Sequence, residues 1–272
     1  MSRTNLRISV FAPTRFSVIK FASACLASLL LGSQAMAGAA QWSSTNIQYL
    51  AGSSYESIFF DSGAGKLSSK EDSNSIITIE HVNGWKYGDN FLFVDITNPD
   101  SSDAGAPTGY YGEISPRLSF SKMTGKDLSA GIVKDVLITT TAEIGQGFHT
   151  YLYGLAVDLD IFSMPVFQIN YYVRNETKYG ADTGSQVTLV WLKPFDIGAL
   201  SLTFEGFFDY AFDMDHAEDN IVTGPRLLLD LGKLWGAAGV LQAGVEYQIW
   251  RNKFGIDGID EDVAQAMVKW IW

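Results

Sequence analysis

The chain has one cysteine, three histidines and no apolar run long enough to cross a bilayer as a helix. A helical span needs about 20 apolar residues, whereas the longest greasy stretch, residues 21–31 (FASACLASLLL), is short. The single cysteine, Cys25, lies inside that stretch. A lipoprotein carries its acylated cysteine just after the apolar run, so the position does not fit an anchor. The histidines, His81, His149 and His216, are scattered, with no zinc spacing, no Walker-type glycine loop and no dinucleotide fingerprint. No cofactor is expected. Basic residues are scarce as well, 19 Lys and Arg against 30 Asp and Glu. Binding a phosphate polymer needs a basic stripe, so nucleic-acid polymers are not expected partners.

What is present begins with a targeting segment. Arg3, Arg7, Arg15 and Lys20 form a positive region free of acidic residues, the apolar stretch follows, and Ala35-Met36-Ala37 fits the small-x-small cleavage rule. Cleavage after Ala37 gives a signal peptide over 1–37 and a mature chain over 38–272. That chain lacks cysteine, which suits passage through an oxidising compartment. It carries 15 basic and 30 acidic residues, a balance of about −15.

Helical periodicity is nearly absent from the mature part. Period-two alternation recurs in segments rich in Val, Ile, Tyr, Phe and Thr, the pattern of half-buried strands. Twelve segments are expected, over 42–51, 75–82, 90–97, 113–122, 133–143, 149–158, 166–175, 185–193, 199–212, 223–231, 239–251 and 263–272. The segment 113–122 shows the pattern: Glu113, Ser115, Arg117 and Ser119 alternate with Ile114, Leu118 and Phe120. Successive side chains point to opposite faces of a strand. A soluble sandwich hides the greasy face, whereas a membrane barrel turns it to lipid and lines its interior with the polar one. Alternation alone fits both.

Three features favour the barrel. Connectors tend to alternate between long (52–74, 98–112, 176–184, 213–222, 252–262) and short (84–89, 160–165, 194–198, 232–238), with 123–132 and 144–148 breaking the pattern. Short periplasmic turns and longer outer loops are the outer-membrane rule. Aromatic residues gather near segment ends, among them Trp42, Tyr110, Tyr111, Tyr151, Tyr153, Tyr210 and Trp250, as interfacial girdles do. The final segment puts Val268, Trp270 and Trp272 on one face, a signal for the barrel-assembly machinery. The expectation is an all-β chain: one antiparallel transmembrane barrel of about twelve strands in a Gram-negative outer membrane, with lipid and lipopolysaccharide around it. Closure removes sheet edges and pairs the backbone.

Three blocks carry a resemblance. Residues 112–129 (GEISPRLSFSKMTGKDLS), residues 80–95 (EHVNGWKYGDNFLFVD) and residues 247–255 (YQIWRNKFG) resemble blocks of the Tsx/OmpK family of nucleoside-specific outer-membrane channels. The resemblance implies a twelve-stranded barrel that passes nucleosides and deoxynucleosides by passive diffusion, and a surface that serves bacteriophage as a receptor.

A nucleoside offers an aromatic base and a hydroxylated sugar, so a selective lumen needs ring faces and polar partners that bind weakly enough for release. By strand parity, Phe93, Asp95, Glu113, Arg117, Asn170, Tyr172, Arg174, Glu205, Phe207 and Asp209 face inward and are the candidates for solute contact, with Phe91 and Thr203 beside them. The alternative is that these charges only brace the wall, with Glu113/Arg117 and Arg226/Asp230 as same-face pairs four apart. The acidic loop 213–219 (DMDHAED) reads as a solvated loop or a divalent-ion site. A general small-solute pore and a surface receptor or adhesin without nucleoside selectivity also fit the pattern. A barrel enzyme needs a Ser–His pair with a polar orienter, and His81 and His149 are the only histidines on segments.

Overall fold

The structure, a computed structural model, describes residues 40–99, 108–176 and 182–272. The expected signal peptide, 1–37, lies outside the described residues, as do parts of the expected connectors 98–112 and 176–184. The strands are β1 (Ala40–Asp61), β2 (Lys66–Trp85), β3 (Gly88–Thr97), β4 (Gly109–Ser119), β5 (Val133–Gly145), β6 (Phe148–Leu159), β7 (Val166–Glu176), β8 (Asp182–Ile197), β9 (Leu200–Phe212), β10 (Asn220–Thr223), β11 (Arg226–Asp230), β12 (Leu241–Arg251) and β13 (Glu261–Ile271). A five-residue helix, α1 (Phe120–Thr124), follows β4.

Strands adjacent in sequence are neighbours in the sheet, and β13 returns to pair antiparallel with β1, from Asn46 opposite Ile271 to Gly52 opposite Gln265. The sheet is thereby closed. β10 and β11 together make one pass, because both lie between β9 and β12. Thr223 sits opposite Phe208 and Ile249, and Arg226 opposite Glu205 and Glu246, so the register runs through the gap without a shift. The interruption is Gly224-Pro225, where proline has no N–H to give the ladder. Thirteen ladder segments therefore make twelve passes, the number that alternation predicts.

The two faces identify the solvent on each side. In β13 every second residue is buried: Glu261, Val263, Gln265, Met267 and Lys269. The intervening Val268 and Trp270 are exposed, Trp270 at 57 %. A soluble barrel would bury the greasy set, whereas this one hides Glu, Gln and Lys and presents Val and Trp. Ile114, Leu155, Tyr171, Leu227 and Val245 extend the same apolar outer surface around the wall. This is a transmembrane barrel with a polar interior.

Several boundaries differ from the sequence expectation. The expected connector 52–74 is mostly strand. β13 reaches β1 only as far as Gly52, and β3 reaches β2 only from Ile76, so the β1–β2 hairpin continues past its neighbours to a turn at 62–65. Its residues 66–75 (KLSSKEDSNS) are polar on both faces, which hides a strand from any search for alternation. The hairpin bends at Ser54, where φ is +105°. Beyond the bend, Tyr55 donates to Gln265 at 2.5 Å and the Glu56 N–H donates to Glu261 at 2.6 Å. The buried Lys253 pairs with Glu261 and donates to the Glu56 carbonyl at 3.1 Å, so a loop cation holds the root of the hairpin.

β4 ends at Ser119 rather than at 122. The Ser119 hydroxyl accepts from the Lys122 N–H at 3.0 Å, an N-cap, and Gly125 (φ +68°) closes the turn in the left-handed region. Phe120 thus belongs to α1 and not to the strand. The expected turn 194–198 shrinks to Gly198-Ala199, because Pro194 stays in the ladder opposite Thr203. Long and short connectors occur at both ends of the barrel. The end that holds the start of β1 and the close of β13, the terminal end, carries the long 120–132, and the opposite, distal end carries the two-residue turn Gln146-Gly147.

Arginine placed at Leu155, midway along β6 on the outer face, should cost about 2–4 kcal/mol in urea unfolding from phospholipid vesicles. A cost near zero would mean that water, not lipid, wets this face.

Candidate functional site

The inner face is organised by cross-strand ion pairs. Four residues along a strand span roughly 13 Å, whereas directly opposed Cα atoms on neighbouring strands are about 5 Å apart. The expected pairs Glu113/Arg117 and Arg226/Asp230 are accordingly not the ones formed. Arg117 grips Asp89 of β3 with Nε and Nη2, both at 2.8 Å, and donates through Nη1 to Asp158 of β6 at 2.8 Å. Arg226 pairs with Glu246 of β12, lies 3.6 Å from Glu205 of β9 and reaches Glu80 of β2 at 3.9 Å. Between β11 and β2 stand β12, β13 and β1, so the last contact spans a chord of the interior. Lys269 adds a 2.7 Å bond to Glu205, and Asn46 donates to Glu80 at 2.9 Å. These groups form an ionic band across one side of the lumen.

A second network occupies the facing wall. Arg174 of β7 donates to Glu143 at 2.7 Å and to Gln186 at 2.8 Å, and pairs with Glu176 at 3.0 Å. Asp209 of β9 accepts from Thr188 at 2.5 Å and from Gln186 at 3.3 Å. Glu113 sits directly opposite Glu143, a like-charge pair. Arg174 answers Glu143, and the Tyr111 hydroxyl donates to Glu113 at 2.7 Å.

Rings are arranged in two ways. Some cross glycines. Gly154 stands between Tyr172 and Thr139 in register, and a Cβ there would sit 1.8 Å from the Tyr171 carbonyl oxygen. The bare backbone lets the Tyr172 ring cross it, and the phenol bonds Thr139 at 2.9 Å. Tyr172 is 4 % exposed, so it is spent on the wall. Phe207 covers Gly224 in the same way: a Cβ added to that glycine would lie 2.9 Å from the Phe207 Cε1.

The other arrangement is a run of rings. Phe91 and Phe93 lie 5.8 Å apart by centroid, Phe93 and Tyr111 5.7 Å, and Tyr111 and Phe148 6.3 Å at an interplanar angle of 23°. The register puts all four on the inner face: Phe93 opposite Glu113, Tyr111 opposite Asp95, and Phe148 opposite Gly145, itself opposite Tyr111. Asp95 accepts from Thr78 at 2.5 Å beside this run.

Of the ten candidates, Arg117, Asn170, Tyr172 and Glu205 are buried in the wall, and Phe93, Asp95, Glu113, Arg174, Phe207 and Asp209 are half-buried. Glu80, Asp89, Glu143, Asp158, Glu246 and Lys269, all on inner-facing registers and all ion-paired, were not among the candidates. Extending the odd–even assignment along every expected segment would have found all of them but Asp89, which falls in the expected connector 84–89. Tyr111, expected in a girdle, and Phe148 were not among the candidates either. Aromatic residues near strand ends read as girdle until the face is known. The loop 213–219 uses Asp219 to brace itself, accepting from the Tyr210 hydroxyl at 2.8 Å and the Asp213 N–H at 3.2 Å.

Comparison with known proteins supplies the relatives. The family described as nucleoside-specific channel-forming protein, Tsx, matches over residues 46–268. The outer membrane protein OmpK of Vibrio parahaemolyticus is 28 % identical over 134 residues, 46 % of this chain and 51 % of the relative. OmpK of strain RIMD 2210633 is 26 % identical over 140 residues, 46 % and 52 % of the two chains. The chain thus spans about half the length of the curated relatives it matches. Among solved structures, a KdgM porin aligns with a TM-score of 0.46 at 8 % identity, covering 83 % of this chain and 98 % of that one. The translocator domain of the autotransporter NalP from Neisseria meningitidis aligns at 0.34 and 10 %, covering 93 % and 97 %. At these values neither structure bears on function.

Removing Arg226 leaves Glu246 without its cation and takes one partner each from Glu205 and Glu80, which keep Lys269 and Asn46. Arg226→Met is therefore expected to destabilise the barrel by about 3–5 kcal/mol, read as an earlier loss of the compact band when unboiled samples are warmed and run in detergent gels. Arg226→Lys, which keeps the charge, should lose less.

Proposed function

The chain belongs to the Tsx family of nucleoside-specific channel-forming proteins, and on that premise we propose that its lumen passes nucleosides by selective, passive diffusion. It is an outer-membrane barrel of the Gram-negative type, in a family of channels rather than enzymes. The observation that carries the selectivity is the run Phe91–Phe93–Tyr111–Phe148 along one inner wall, with Glu113 and Asp95 beside it.

A base stacks on an aromatic face with a gain of about 1–3 kcal/mol, whichever base it is. Successive faces about 6 Å apart let a base move from one to the next without leaving the wall. Carboxylates next to the rings accept from ribose hydroxyls. Phe93, Asp95, Glu113, Phe207 and Asp209 are the proposed solute contacts, with Tyr111 and Phe148 added. Arg117, Asn170, Tyr172, Arg174 and Glu205 hold the wall that presents them. Because Arg117, Arg174, Arg226 and Lys269 are committed to carboxylates, a neutral solute meets no free cation among them that would trap it. Release stays fast, as a conducting site requires.

In planar bilayers, uridine or adenosine should block ion current saturably, and ribose alone only weakly. Phe93→Ala or Tyr111→Leu should weaken nucleoside block by about 1–3 kcal/mol with little change in open conductance. Current indifferent to every nucleoside would leave a general small-solute pore.

A further inference from the structure

The outer face of β8 is greasy toward the terminal end, with Val187, Leu189, Trp191, Phe195 and Ile197 in one row, and one residue breaks it. Lys193 stands in that row: Leu192 lies opposite the inward Glu205, and Lys193 lies opposite the outward Phe204. A cation on the lipid-facing side of a membrane wall is costly and is kept by carboxylates or backbone carbonyls. Lys193 Nζ donates to the carbonyls of Phe162 at 2.7 Å and Ser163 at 2.9 Å, and no carboxylate among the described residues pairs with it. The carbonyls orient the ammonium and leave its charge unanswered.

Those carbonyls belong to the turn 160–165, between β6 and β7. Phe162 and Ser163 have φ of +53° and +51°, two successive non-glycine residues in the left-handed region, a backbone that its surroundings must impose. Lys193 clasps the turn from the β8 side. Lys134 clasps it from the β5 side, at the register shift, with its Nζ 3.5 Å from the Met164 carbonyl and 3.7 Å from Asp160. Two ammonium groups thus share one carboxylate, and both stand at the surface. Phe162, between them in the turn, is 73 % exposed. Trp191 and Phe204, 5.8 Å apart by ring centroid, flank Lys193 on the wall.

The two ends of the barrel differ in charge. The connectors of the terminal end hold Lys86, Lys122, Lys126 and Lys233 against Asp127 and Asp160. The distal loops 213–219 and 252–260 hold six carboxylates against Lys253. The unanswered cation therefore lies at the end whose rim attracts anions.

We propose that Lys193 and Lys134 hold the phosphate of an anionic glycerophospholipid in the leaflet at the terminal end. An ammonium has three donors, and Lys193 spends two on the turn, so the third is left for a phosphate oxygen. The acyl chains lie along Trp191 and Phe204. The lipid is the counter-ion that the wall lacks, and it seats the turn in the membrane surface. A zwitterionic headgroup brings its own cation to the same phosphate and is the poorer ligand. The site is outside the barrel and does not depend on what the lumen carries.

The full barrel in detergent, titrated with phosphatidylglycerol, phosphatidylcholine or inorganic phosphate, can be read by native mass spectrometry. Wild type should retain phosphatidylglycerol at concentrations where phosphatidylcholine is lost. Lys193→Gln should weaken that binding about tenfold, the loss of a charge-assisted bond, and Lys134→Gln should weaken it less. Lys193→Arg should restore it, and Lys126→Gln, on the same rim but outside the site, should match wild type. Lys134→Gln carries the test if Lys193→Gln gives no folded band in detergent gels. Equal retention of the two lipids, or phosphatidylglycerol binding unchanged in both glutamine variants, overturns the site. An equal loss in Lys126→Gln overturns it too, in favour of diffuse rim charge. Displacement of the lipid by inorganic phosphate overturns the lipid as occupant.

Discussion

One ladder turns this sheet into a barrel, the pairing of β1 with β13. Hydrocarbon offers no partner to a free N–H or carbonyl, so an open edge at membrane depth is not tolerated. The seam therefore sets the rest of the architecture. Its register fixes that Gln48 meets Lys269 and Leu50 meets Met267 on the inner face, and that Ile47 meets Trp270 outside. A slip by one residue would turn Lys269 and Glu261 to lipid and Trp270 to the lumen. The last backbone groups are included: Trp272 exchanges both hydrogen bonds with Thr45, at 2.9 and 3.1 Å.

Closure creates a second requirement inside. Twelve inward faces bring many acidic residues together, and each buried charge needs a partner on another strand. Arginine meets this best because its planar fork serves two or three carboxylates at once. Arg117 holds two, Arg174 holds two and a Gln, and Arg226 touches three. The same contacts brace distant strands against each other, from β4 to β6, β5 to β7 and β11 to β2. A lumen lined with charge can in this way remain electrically quiet toward a neutral solute.

Much of this was legible from alternation, because a strand's period of two is strict and the barrel obeys it in β13 without exception. Twelve passes, each with a polar and an apolar face, follow from it, while turning the apolar face outward rested on the connectors, the strand-end aromatics and the final segment. The pairing of charges was not legible, since parity gives a face and says nothing of register. Arg117 and Glu113 share a face, yet Asp89 lies directly across from Arg117. Nor was the long β1–β2 hairpin, because outside the membrane both faces are wetted and the polar run 66–75 carries no period. Capping chemistry overrode alternation at Ser119, where a hydroxyl captured the backbone and started a helical turn.

The placement of rings and charges bears on how selectivity and speed coexist. An aromatic face binds a base weakly and without regard to its edge pattern, so a run of such faces lowers the barrier along the wall without making one deep well. Had the arginines been free, a nucleoside would gain a strong stacking and donor partner, and departure would slow. Committing them to carboxylates removes that trap and stiffens the wall in the same contact. Tyr172 and Phe207 show the complementary device: the glycines beside them leave room for their rings along the wall, where a Cβ would crowd the neighbouring strand or the ring itself. The glycines, the paired arginines and the run of rings thus answer one constraint, that a twelve-stranded barrel must be both occupied enough to stand and clear enough to conduct.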